Sequence, residues 1–182
     1  MKRKLLILSV LAICIATLAA GTLAYFTSEG TAHNVITTGG VEITLREWAD
    51  EEKKTPFKDL TGIMPGMTVT KIAEVKNTGA SEAWVRVKVE KNIRPEAQVE
   101  VDPDLVELTL TDDWTERDGY YYYNKPLKPG EVTTPVFTAV TFDAAMGNEY
   151  QNAKATVDVY AQAVQTANNG ATALEAAGWP NP

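Results

Sequence analysis

Apolar and polar residues alternate with a period of two along much of the chain, the pattern of strands buried on one face. The clearest stretch is 83–91, where Ala83, Val85, Val87 and Val89 share one face and Arg86, Lys88 and Glu90 the other. Val41, Ile43 and Leu45 alternate with Glu42 and Thr44, and Val106, Leu108 and Leu110 with Glu107 and Thr109. Residues 68–76 alternate less cleanly, with Val69, Ala73 and Val75 on one side and Ile72 opposite. Further strands are predicted over 120–123, 132–142 and 153–164; in the last, Ala155, Val157, Val159, Ala161 and Ala163 share a face.

Turn chemistry separates these runs. Pro65-Gly66, Asn77-Thr78-Gly79, Asp118-Gly119, Pro129-Gly130 and Gly147-Asn148 all offer residues that tolerate positive φ. Helical periodicity is confined to Ala171–Ala177, a short helix that Gly178 would end. Glu47 to Lys58, charged and carrying Pro56, reads as a surface loop. The expectation is an all-β protein, an antiparallel β-sandwich or jelly roll of about seven to nine short strands.

The first residues follow another pattern. Lys2, Arg3 and Lys4 precede an apolar run from Leu5 to Ala20, and Gly21-Thr22-Leu23-Ala24 supplies the small residues that a signal peptidase reads. This predicts a signal peptide over 1–24, cleaved between Ala24 and Tyr25, and a secreted product. Left uncut, the 22 residues from Leu5 to Phe26 would suffice to span a bilayer. Ile13 before Cys14 is not the small residue that a lipoprotein signal places there.

Charge and composition narrow the chemistry. The chain of 182 residues carries 17 basic and 24 acidic side chains, net −7, which argues against nucleic acid as a partner. Cleavage after Ala24 would leave 14 basic residues against 24 acidic ones, and no cysteine. Copies of such a chain repel one another, so self-assembly has to come from burial and backbone pairing. His33 is the sole histidine, which excludes a His-Glu-x-x-His zinc site, and there is no Gly-x-Ser-x-Gly elbow. Asp112 to Gly119 superficially resembles a calcium loop, but the spacing of its oxygen ligands fails at Trp114, and a hairpin is the better reading. Tyr120-Tyr121-Tyr122-Tyr123 could form a carbohydrate platform with Trp114. In a strand, however, alternate tyrosines face opposite ways, one pair into the core and one over the sheet. No metal, cofactor or catalytic residue is expected, and the chain does not read as an enzyme.

Four segments together resemble the TasA/camelysin family of exported proteins, processed by the dedicated signal peptidase SipW. They are Ala20-Gly21-Thr22-Leu23-Ala24-Tyr25-Phe26-Thr27-Ser28 with Asn34 and Thr38-Gly39-Gly40-Val41-Glu42-Ile43; Met64-Pro65-Gly66-Met67 with Val75-Lys76-Asn77-Thr78-Gly79 and Val85-Arg86-Val87; Gly119 to Tyr123 with Leu127-Lys128-Pro129-Gly130; and Val159 to Gln165. The resemblance implies a jelly-roll domain over 41–182 that forms extracellular fibres in a biofilm matrix or at the cell surface. It also implies a donor strand within 25–40, mapped onto Tyr25–Thr38, that completes the sheet of the next subunit. Tyr25, Phe26, Val35 and Ile36 are apolar residues without an evident partner in their own chain, which suits that role. The partners implied are further copies of the chain, the signal peptidase and an accessory matrix or anchoring protein, with membrane contact only before cleavage. The chain is short for the best-known fibre-forming members, and with one histidine the family's metallopeptidase label is not carried over. A monomeric binding module for glycan or protein is the alternative; a secreted metallopeptidase is the least favoured.

Overall fold

The computed structural model describes residues 34–37 (backbone only), 41–58, 64–95, 101–147, 150 and 153–180. Cys14, Ala24, Tyr25, Phe26 and His33, and with them the predicted signal and cleavage site, lie outside the described residues.

Nine strands follow one another: β1 Asn34–Thr37, β2 Ile43–Trp48, β3 Thr68–Asn77, β4 Ala83–Arg94, β5 Val106–Leu110, β6 Trp114–Arg117, β7 Tyr120–Tyr123, β8 Phe137–Phe142 and β9 Lys154–Gln165. A single 3₁₀ turn at Pro103–Leu105 precedes β5. The protein is all-β. Its two sheets have the orders β1-β9-β4-β7-β6 and β2-β3-β8-β5, and every pairing is antiparallel except β1 with β9. Residues 31–182 form one compact unit.

The alternating residues explain the sandwich. Ile43, Leu45, Ala73, Val75, Val85 and Val87 turn inward from facing sheets and are at most 4% exposed. Phe137 is the largest of the fully buried side chains, and truncating such a residue to alanine costs about 3–5 kcal/mol. The hairpin between β6 and β7 closes through Asp118 and Gly119, with φ of 54° and 76°. Positive φ at both central residues is the geometry that matches the right-handed twist of the flanking strands.

Three expectations need correction. Residues 171–177 do not form a helix. Asn169 Oδ1 accepts from Gly170 N and Ala177 N, and a Cβ on Gly170 would lie 2.5 Å from the backbone of Glu175, so the segment closes as a tight loop instead. Ala173 and Ala176 bury against Trp84, Tyr122 and Val164 in a second, smaller cluster. The strand expected over 132–142 begins only at Phe137, because Pro135 has no N–H for the ladder. Glu47 and Trp48 belong to β2 rather than to a surface loop, and the chain returns beside them through Phe57 N to Glu47 O at 3.0 Å.

Candidate interaction edge

β9 is twelve residues long and pairs along its whole length with β4. Its other edge is covered in part by the described residues. Asn34, Val35, Ile36 and Thr37 lie parallel to it, opposite Tyr160, Ala161, Gln162 and Ala163. Val35 and Ile36, expected to lack a partner in their own chain, are thus paired through their backbone within it. An edge strand leaves a row of amide and carbonyl groups unpaired, and the segment preceding the sandwich lies along four residues of β9, of which every second one turns its groups to it. Among the described residues, no strand covers 154–159 on that side.

The direction of the remaining groups follows from the ladder. Ala83 exchanges backbone hydrogen bonds with Leu127 at 3.0 and 2.9 Å, on the side of β4 away from β9. Peptide groups alternate sides along a strand, so Val87, Val89, Lys91 and Ile93 also turn from β9. Their opposite numbers Ala161, Val159, Val157 and Ala155 therefore direct N–H and C=O to the far edge.

One side chain reaches that edge. Lys71 of β3 extends between the sheets, 3% exposed, and its Nζ donates to Val157 O at 2.8 Å. The same ammonium lies 2.8 Å from Glu47 Oε1 and 4.3 Å from the centroid of Phe57. The two charged side chains are only 4% and 7% exposed. Burying an ion pair costs several kcal/mol of desolvation per ion, which close contact and further hydrogen bonds offset. Here the additional acceptor is the carbonyl of the β9 edge. Residue types alone did not point to Lys71, Glu47 or Phe57; the one signal was the broken alternation of 68–76.

On the outer face of β3, Glu74 is also buried, accepting from Trp48 Nε1 at 3.0 Å and pairing with Lys53. Beyond the Lys154 end of β9, Met64, Ile93, Phe142, Met146, Tyr150 and Ala155 line a shallow apolar pocket. Met64 is the most exposed large apolar side chain there, at 64%.

The tyrosine run divides as alternation predicts. Tyr121 and Tyr123 join the main core, while Tyr120 and Tyr122 face outward. The outer pair is not open to solvent throughout: Trp179 meets Tyr122 edge-on at 5.9 Å and Arg86 lies between Tyr120 and Trp179, 4.0 and 4.7 Å from their ring centroids. Arg86 also donates to Gln162 Oε1 and Tyr122 OH, at 2.7 and 3.2 Å. Trp84, which had no partner in the sequence, donates through Nε1 to Gly170 O at 3.0 Å. Trp114 is a core residue 5.0 Å from Tyr123, so it does not extend a tyrosine platform. Asp112 to Gly119 leads into and forms the β6–β7 hairpin, and Asp113 pairs with Lys125 at 2.8 Å. Among the described residues, no group of three His, Cys, Asp or Glu side chains is placed to hold a metal ion, and no helix is long and apolar enough to cross a membrane. In comparison with known proteins, the chain significantly matches no family model, no curated protein and no solved structure.

Proposed function

We propose that this chain is an exported structural subunit that assembles into matrix or cell-surface fibres by exchanging its N-terminal strand between copies after the signal is cut. The observation that carries the reading is β1. It precedes the sandwich, runs parallel in an otherwise antiparallel fold and, among the described residues, is attached by four residue pairs. A strand held at an edge by so few pairs can be replaced by the same strand of another copy at little net cost, and head-to-tail exchange that does not close yields a filament. The jelly-roll form of the sandwich and the export segment over 1–24 belong to this reading, as do the resemblance of the segments around Ala24, Pro65-Gly66 and Pro129-Gly130 to exported fibre proteins and the dedicated peptidase. Uncut, the donor would remain tethered to the membrane; cutting between Ala24 and Tyr25 would release it.

The test is electron microscopy of the purified chain beginning at Tyr25 beside the chain with its signal retained. Filaments from the shorter form alone are the expected result. Monodisperse particles from both forms, also after seeding with a candidate anchoring protein, would overturn the reading.

A further inference from the structure

Resting on that reading, we infer that Lys154–Val159 of β9 is the acceptor edge for the N-terminal segment of a second copy, and that the Lys71–Glu47 pair latches this edge in the unassembled protein. The register of β1 supplies the alignment: Asn34 lies opposite Tyr160, an offset of 126 maintained through Thr37 and Ala163. A donor strand continuing in this register would set His33 opposite Val159, Ala32 opposite Asp158 and Thr31 opposite Val157. The last of these is the residue whose carbonyl Lys71 occupies at 2.8 Å.

An incoming strand needs that carbonyl, or must approach it around a buried ammonium. An inward-pointing charge at a strand edge is one of the ways in which proteins discourage pairing with another chain. Lys71 is held there by Glu47 and by the ring of Phe57, so opening the edge means moving a cation already compensated in place.

Two measurements on the chain beginning at Tyr25, which keeps the compact unit 31–182 whole, test the inference. In the first, single-cysteine chains Ala32→Cys and Asp158→Cys are mixed under oxidising conditions. A mixed disulfide that accumulates as assembly proceeds is expected; this form of the chain has no cysteine of its own. Filaments without that disulfide would overturn the acceptor assignment while leaving strand exchange standing. Formation of the bond only within a doubly substituted chain at high dilution would assign the edge to the chain's own segment and overturn the second copy. Neither filaments nor disulfide would sink both readings. In the second measurement, Lys71→Met with Glu47→Leu removes both charges together, so that neither is left buried alone. The concentration at which assembly begins should fall several-fold, with the thermal midpoint of the unassembled protein checked alongside. An unchanged threshold in a folded double variant would overturn the latch.

Discussion

Asn77 offers the sharpest test of how the sandwich is held together. It ends β3, is fully buried and opposes Ile43 of β2. Its Nδ2 donates to Ser81 O at 2.8 Å and Leu127 O at 2.9 Å, while its Oδ1 accepts from Gly79 N at 3.0 Å. Two carbonyls on one side and an N–H on the other fix the orientation of the amide. Asn77→Ala deletes all three bonds, but not all at equal cost. Leu127 O still accepts from Ala83 N at 3.0 Å, and Gly79 N still donates to Glu42 O at 2.9 Å. Ser81 O bears the greater loss. At about 1 kcal/mol for each bond whose partner stays satisfied and about 1–3 kcal/mol for a group losing its donor, the total is roughly 3–5 kcal/mol. For a domain of this size that corresponds to a fall in Tm of roughly 6–20 °C. Asn77→Asp preserves the shape and leaves no cavity, yet turns an oxygen toward two carbonyls and buries a charge, so it should be the more damaging at pH 7. The assay is thermal unfolding of the chain beginning at Tyr25, followed by tryptophan fluorescence. A shift under about 1 °C for Asn77→Ala, or an Asn77→Asp variant as stable as the parent, would refute the reasoning.

Two further outcomes are expected. Trp179→Ala should remove one wall of the Arg86 stack and the edge-on contact with Tyr122, costing about 1–2.5 kcal/mol in urea unfolding; Arg86→Lys, which cannot both stack and reach Gln162 and Tyr122, should also destabilise, and an unshifted urea midpoint in both would reject the stack as a structural element. The hydrogen bond from Lys125 holds the Asp113 carboxyl below its ordinary value of 3.8. A carboxyl lowered by folding contributes stability above its unfolded pKa, and that contribution is lost as pH falls through the folded value. Lys125→Met should therefore raise the Asp113 midpoint toward 3.8, read by carboxyl-carbon NMR, and an unmoved midpoint would discard the pair as the cause.

Much of the architecture was legible in the chain because strands have a period of two. The alternation of 83–91 and of 153–164 marks the inner faces of β4 and β9, and Asp118-Gly119 marks the hairpin between β6 and β7, since only residues tolerant of positive φ fit there. The same pattern assigns the tyrosine run to two faces. Hydrophobic periodicity alone failed where a side-chain hydrogen bond, a tight turn or a proline overrides it. Ala171–Ala177 has good helix formers, but Asn169 and the close approach at Gly170 hold it in a loop that roofs Trp84. Pro135 delayed β8 by removing a ladder donor.

The candidate edge divides in the same way. The sequence by itself determines that this chain builds strands, that apolar residues cluster near its N-terminus and that charge will not draw copies together. Only the tertiary structure decides which strand edge is left open among the described residues, because that depends on β4 taking one side of β9 and β1 lying along Tyr160–Ala163 of the other. Lys71 and Glu47 are 24 positions apart and Val157 is 86 beyond Lys71, so no local pattern reveals their meeting. What joins them is the closing of two sheets around a shared interior, where a buried cation must find its acceptors among whatever the fold brings near.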